Sequence, residues 1–536
     1  LNFNLDFEKF KTKKMKILNI TFAFLAIALL WSCDKELDVT NPNRPTTDTY
    51  WKNGDQAVAA VNAIYTGFIT DGGYMRMFPA LTDGRGDDFT GDSPWPDLGQ
   101  VANFTILPTS GPVRWIWEAH YQIVFRANEV LRYVPDIEMD QNLKDRLLGQ
   151  AYFLRGLAFF NLANTYKNIV IVTEVPQSKD DYYPGTTPED QIWEQIISDF
   201  DMAKQLLPVS YQAVAGADQG QIGRATKGAA TGLLGKAYLY RQQWQKAADE
   251  FELLVTPGAE LNIYSLVADY KDNFKPFNEN NSESLFEIQF ADPNTVGGTD
   301  YNYGGEPNSN WRQVSSIGHT YAMEGRGYSD FLPTPWLFEE FTKELTVDGE
   351  YDPRLRNTIA FYDESQGYTE AYGVPWWNPA TSIYPSKYTH DGIEGFLDEN
   401  SGVENSGINY RIIRYADVLL MYAEALNELG ETAQSYQYIQ QVRDRANLAD
   451  LSTIKPGMTQ TEMREQIAHE RALELAIESI RIHDIIRWGW LYDDEKLEIL
   501  KSHDRDFETW RPGHEYLPIP QEDLDSNPNL SPNPAN

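Results

Sequence analysis

Apolar residues return at intervals of three and four through most of residues 49–256 and again from 410 to 490; between those stretches the period is lost. From residue 53 onward Val58, Val61, Tyr65 and Phe68 keep this spacing behind Asn53 and Gln56, which stand in capping-box positions. That pattern predicts an amphipathic helix. Residues 113–135 and 142–166 read as two longer helices of the same kind, and Thr187-Pro188-Glu189-Asp190 supplies a cap, a first-turn proline and early acids for the next.

Residues 224–255 read as a helix pair: Ala229, Leu233, Ala237 and Tyr240 line one face, and Trp244, Ala247, Phe251 and Leu254 line the returning one. A second pair is predicted over 411–446, with Leu419, Tyr422, Ala423 and Leu426 before a break at Gly430, then Tyr436, Ile439, Val442 and Ala446. The pair length and the Ala247-x-x-x-Phe251 spacing resemble tetratricopeptide units, in which small residues let paired helices approach closely. Residues 257–409 are rich in Gly, Pro, Asn and aromatics, with a strand-like run from Ser284 to Phe290 and a short helix near Trp336. An irregular stretch of that length inside a folded protein is uncommon unless it has a task, so the binding surface is expected there.

The amino-terminal pattern is different. Residues 17–30 are almost wholly apolar, follow Lys13, Lys14 and Lys16, and lead to Ser32 and Cys33. At about 14 residues the run falls short of the roughly 20 that a spanning helix needs, and its layout is that of a signal peptide over residues 1–32. Met15 is the expected start of translation. Leu30-Trp31-Ser32-Cys33 resembles a bacterial lipobox, which makes Cys33 the expected lipidation site. As the sole cysteine it has no partner for a disulfide and cannot build a cysteine-rich metal site. Residues 33–48 lack periodicity and read as a lipidated tether ahead of one domain spanning 49–536.

Charge narrows the function. The formal net charge is −34, and removing residues 1–32, with five lysines against Asp6 and Glu8, makes it −37. Such a chain repels nucleic acid and anionic surfaces, so neutral ligands fit best. Its 79 acids make any single carboxylate pair uninformative as a glycosidase signature. The sequence contains no Gly-x-Ser-x-Gly elbow, His-Glu-x-x-His helix or phosphate-binding glycine loop. No catalytic residue, metal ligand or cofactor is assigned, and His469 and His483 read as structural. The acid-rich stretch from Asp83 to Asp92 lacks the spacing and terminal glutamate of a helix-loop-helix calcium site. Its acids read as solvated turn residues or polar ligand contacts.

Three motifs converge on a family: Gly223-Arg224-Ala225-Thr226-Lys227-Gly228-Ala229-Ala230, the run from Tyr410 through Arg414, Asp417 and Glu424, and Glu470-Arg471-x-x-Glu474-Leu475-x-x-Glu478 leading to Arg481, Asp484 and Arg487-Trp488-Gly489. Together with Leu517-Pro518-Ile519-Pro520 near the end, they resemble the SusD/RagB outer-membrane lipoproteins of Bacteroidetes. Ser479 stands where that family usually has glycine, and His483 where it usually has an aromatic. The resemblance implies a mostly α fold with four tetratricopeptide-like pairs supporting an irregular, loop-rich ligand-binding region. It also implies capture of a glycan at the cell surface for a SusC-like, TonB-dependent transporter, with the outer membrane reached through the lipid anchor. Asp34 and Glu36 look like the family's export signal to the outer leaflet. Glu470, Arg471, Arg481 and Asp484 read as ion-pairing scaffold.

Sugar rings present apolar C–H faces that stack on exposed aromatics while polar side chains bond the hydroxyls. Trp95, between Pro94 and Pro96 in a polar loop, and Trp311, between Asn310 and Arg312, are the candidate stacking residues. Asp87, Asp88, Tyr301, Tyr303, Asn310 and Arg312 are their expected polar or flanking partners. A non-binding scaffold or lid for the transporter is the alternative reading, and a glycoside hydrolase the third.

Overall fold

The computed structural model describes residues 50–293, 295–296, 313–393 and 406–533. Residues Asn53–Asn536 form one compact unit, mostly helical, with the helices in two blocks. The first helix, Gly54–Phe68, starts where Asn53 accepts a hydrogen bond from the Gln56 amide at 3.1 Å. Its buried stripe is Ala57, Val61, Ile64 and Phe68, while Val58 and Tyr65 sit half-buried at the edge. The predicted stripe is thus rotated by about one residue.

Gly111–Tyr133 and Gln141–Tyr166 pack against each other, the second capped by Asp140 accepting from Leu143 N at 2.9 Å. Glu189–Leu206 packs on Gln141–Tyr166 and on Lys227–Tyr240, which in turn pairs with Trp244–Val255. Pro188 proves to be the N-cap residue, not part of the first turn, and the Thr187 hydroxyl accepts from Ile171 N (2.9 Å) instead of capping. Within the pair Lys227–Tyr240 and Trp244–Val255 the helices meet at Gly235: a Cβ there would lie 2.6 Å from the Phe251 ring.

The second block is Tyr415–Glu428 and Thr432–Arg445, separated by Gly430 at φ +86°, with Gln460–Glu474 packed on both. Tyr415–Glu428 also packs on Trp244–Val255, joining the two blocks. Leu419, Tyr422, Ala423, Leu426, Ile439, Val442 and Ala446 are buried, as the periodicity predicts, while Tyr436 of the same predicted face is only half-buried. The segment just ahead departs from prediction: Tyr410–Arg414 is a strand, antiparallel to Ser284–Ile288. Its Ile412 and Ile413 suit a strand, and the partner that makes it one lies more than a hundred residues upstream.

This strand pair roots the irregular region in the helices, and a buried ion-pair network locks it there. Arg414 donates to Glu478 (2.8 Å), Glu283 (2.7 Å) and Glu474 (2.5 Å). Glu474 is also bound by Arg445 and Arg354, and Glu478 by Lys387. The family-motif charges pair likewise: Arg471 with Asp484 and Asp417 (both 2.7 Å), and Glu470 with Arg443 (2.7 Å). Most of these contacts join separate elements rather than successive turns of one helix.

Candidate functional site

Asp83, Asp87 and Asp88 of the acid-rich stretch are built into the core, not into solvent, while Asp92 at its end is exposed. Asp87 is 0% exposed, bound by Arg481 Nε and Nη2 (2.5 and 2.8 Å) and by His503 Nδ1 (2.8 Å). Burial opposes its ionisation, but Arg481 and then His503 outweigh that and hold its carboxyl well below the usual range. Asp88 is 2% exposed and pushed up to about 7 by burial and by the neighbouring Asp87 charge. Asp83 accepts from Ser479 N (2.5 Å) and Tyr321 Oη (2.9 Å), and burial together with Asp88 pushes it up to about 8. Neither Asp87 nor Asp88 has surface to offer a ligand. Among the described residues, no group of three or more His, Cys, Asp or Glu side chains could hold a metal ion.

These anchors fix the course of the strand and loop beyond them. Phe89–Gly91 pairs antiparallel with Phe331–Pro333, and the ladder continues as Asp92 N donates to Asp330 O at 2.9 Å. The Ser93 hydroxyl donates to Asp330 Oδ1 (2.5 Å) and accepts from Trp95 N (3.1 Å). Trp95, between two prolines that limit its backbone, is the N-cap residue of the helix Pro96–Ala102. Its indole is half-buried and leans on the half-buried Trp115, ring centroids 6.2 Å apart at 51°. The Arg76 guanidinium lies 5.7 Å from the Trp95 ring and is itself held by both oxygens of buried Asp71 (3.0 and 3.1 Å). The result is an aromatic platform with a fixed cation beside it.

A second aromatic group stands on the adjoining segment. Tyr328 is 50% exposed, meets the His319 ring edge-on at 4.5 Å, and lies two residues from Asp330. Trp377 is 41% exposed, donates from Nε1 to Glu324 O (3.2 Å) and carries Arg326 5.6 Å from its ring. Glu324 in turn raises the Asp92 carboxyl, after burial, so the two loops face one another.

Of the residues singled out from sequence, Trp95 is on this platform, whereas Asp87 and Asp88 are buried, Asp87 against Arg481 and His503. Tyr301, Tyr303, Asn310, Trp311, Arg312 and Cys33 lie outside the described residues. Residue 313, the next in sequence, accepts at its carbonyl from Ala291 N (3.0 Å), and Ser316 N donates to Met75 O (3.0 Å), one residue from Arg76. Arg76, Trp115, Tyr328 and Trp377 were not singled out. Trp377, in Pro375-Trp376-Trp377-Asn378-Pro379, carries the same proline-flanked signal as Trp95; Arg76 and Trp115 gave none, because only the tertiary fold sets them beside it.

Residues 282–535 match the profile of the SusD family, and residues 37–239 match a second profile described as starch-binding, associating with the outer membrane. A SusD-like protein of Formosa agariphila is 27% identical over 544 residues, spanning 97% of this chain and 99% of its own. Among solved structures, a SusD superfamily protein from Bacteroides vulgatus superposes with a TM-score of 0.77 at 29% identity, covering 91% of this chain and 100% of the other. A laminarin-binding SusD-like protein superposes with a TM-score of 0.73 at 28% identity, covering 90% and 100%. Ser479 fits this kinship: its φ of +57° is a left-handed conformation that favours the glycine usual there. With both profiles matched and the fold shared over nine-tenths of its length, the chain belongs to the SusD/RagB family.

Proposed function

We propose that the protein captures a neutral polysaccharide or oligosaccharide at the outer membrane and passes it to a SusC-like, TonB-dependent transporter, without catalysing a reaction on it. The observation that carries this reading is the half-buried indole of Trp95, fixed by Ser93 and by its prolines, with Trp115 behind it and the Arg76 guanidinium alongside. A flat apolar face held in place before binding suits a sugar ring, because little entropy remains to be lost on binding. Tyr328 and Trp377 extend the aromatic surface, and Tyr301, Tyr303, Asn310, Trp311 and Arg312 are the further contacts we assign to it. The laminarin-binding relative and the starch-binding profile support a neutral glucan as the first ligand class to test. Cys33, acylated after export, is the proposed anchor.

The test is calorimetry and affinity electrophoresis of the chain from residue 34 onward against laminarin, starch, xylan and mannan. Binding of at least one is expected, with Trp95→Ala weakening it by about tenfold or more, about 1.4 kcal/mol. Unaltered affinity in both Trp95→Ala and Trp311→Ala removes the site. A chain that binds no glycan yet copurifies with the transporter is a scaffold or lid instead, and shortened products after incubation make it a hydrolase.

A further inference from the structure

A cleft of about 460 Å³ opens on the helical block, between the start of Trp244–Val255, the end of Tyr415–Glu428, Gln460–Glu474 and the turn after Arg481–Arg487. It draws on elements other than those carrying Trp95, and its size falls in the range of small-molecule sites. Three of the chain's 14 tryptophans converge on it: Trp244, Trp488 and Trp490. Gly489, at φ +74°, makes the left-handed turn that sets Trp488 and Trp490 side by side, ring centroids 5.2 Å apart.

The rings divide into walls and a free face. Trp490 is engaged by Lys496 (4.8 Å) and Arg481 (5.2 Å), and Trp488 by Arg487 (4.8 Å) and, through its N–H, by Glu424 (2.9 Å). Trp244 is half-exposed, and its N–H has no hydrogen-bond partner among the described residues. The amide of Gln242 and the hydroxyl of Thr461, both exposed on the cleft, are also without partners among them. One unoccupied indole with a neutral amide and a hydroxyl around it is a lining that stacks on C–H faces and bonds hydroxyl groups.

The charges exclude other ligands. Arg464 is bound by both oxygens of Glu428 (2.5 and 2.8 Å), Lys496 by both of Glu465 (2.6 and 2.7 Å), and Arg487 by both of Glu424. An anion entering the cleft must displace a carboxylate already in place, and exposed Asp493 on the rim adds repulsion. We infer that this cleft is a second carbohydrate site, taking a short neutral oligosaccharide independently of the Trp95 platform.

Laminaritriose, maltotriose and trigalacturonic acid are the probes, followed by saturation-transfer NMR on the wild-type chain, Trp95→Ala, Trp244→Ala and Gln242→Ala, and on the Trp95→Ala/Trp244→Ala double variant. Circular dichroism melts verify that each is folded. A neutral trisaccharide is expected to keep binding to Trp95→Ala and to weaken about tenfold or more in the double variant, with Trp244→Phe restoring part of the loss. Absence of binding to Trp95→Ala, or equal binding by the double variant, overturns the proposal. Trigalacturonic acid binding there as tightly as the neutral probes overturns the ligand class. Absence of binding to Trp244→Ala, which keeps the platform, would count against glycan capture at Trp95 and would leave the double-variant comparison readable.

Discussion

Replacing Arg414 by methionine tests how the irregular, aromatic-bearing region is held to the helices. Arg414 is fully buried, and its guanidinium is shared among Glu283 ahead of the strand Ser284–Ile288, Glu474 at the end of a helix, and Glu478 just beyond it. Removing one partner of a buried ion pair costs about 3–5 kcal/mol, since the other charge is left without compensation. Each carboxylate here keeps another cation: Arg445 for Glu283, Arg445 and Arg354 for Glu474, Lys387 for Glu478. The expected cost is therefore that of one broken pair, about 4 kcal/mol, rather than the sum of three. Unfolding entropy of about 2.1 cal/mol/K per residue gives the unit Asn53–Asn536 about 1 kcal/mol/K, so Tm should drop by about 4 °C in calorimetry. The pH dependence supplies a second reading. In the wild type, burial opposes ionisation of Glu474, but Arg445, Arg414 and Arg354 hold its carboxyl well below the usual range. That contribution is present above the unfolded-state value and is lost as pH falls. With Arg414 gone, one carboxylate of the cluster is in excess and its pKa rises, which favours the folded variant on acidification. The stability deficit should shrink from about pH 8 to about pH 5. A Tm within about 1 °C of wild type, or a deficit that grows on acidification, would refute the reasoning.

Asp83 is pushed up to about 8, by burial and then by Asp88, so its stabilising contribution is complete at low pH and is lost as pH rises through that value. Tm should fall between about pH 4 and pH 8, and fall less steeply in Asp83→Asn; equal slopes would sink the assignment. Ser93→Ala removes the hydroxyl that holds Trp95 N without touching the ring. Glycan affinity should drop severalfold while Tm moves by about 2 °C or less, as expected for two partly buried hydrogen bonds, from Trp95 N and to Asp330; unchanged affinity means that the platform is not positioned this way. Cys33→Ala in the full chain should abolish lipid labelling and outer-membrane retention while a chain starting at Asp34 still folds, checked by metabolic labelling, fractionation and circular dichroism. Persistent labelling would place the anchor elsewhere.

Helix pairs were legible because their apolar period is local: a run such as Leu419, Tyr422, Ala423 and Leu426 reports its buried face without knowing what covers it. The features that escaped prediction were set by distant partners. The strand Tyr410–Arg414 extends an adjacent helical pattern until Ser284–Ile288 supplies its ladder. Asp87 looked solvated because the groups that neutralise it, Arg481 and His503, lie 394 and 416 positions away. Ser479 shows the converse case. The departure from the usual glycine was visible in the sequence, and its cost became visible only with a φ of +57°. The candidate site divides along the same line: a tryptophan between prolines announces itself, as Trp95 did and Trp377 equally does, whereas Arg76 and Trp115 acquire meaning only beside it.

The charge total gains meaning from the same observations. Buried acids such as Asp87, Glu283, Asp417, Glu474 and Asp484 each face a buried arginine or lysine. Interior carboxylates and interior cations therefore cancel to a first approximation, so the excess behind the −34 belongs to the surface and to the residues around the loops. On the aromatic surface Arg76 is held by Asp71, Arg326 lies against Trp377, and the two acids Asp92 and Glu324 repel each other across the loops. A polyanionic polysaccharide would meet that field before reaching any indole, whereas a neutral chain would not be repelled. If the ligand is the neutral glycan proposed above, acids within the roughly 8 Å over which charges act at physiological salt would disfavour acidic glycans, and the tryptophans would discriminate among neutral sugars.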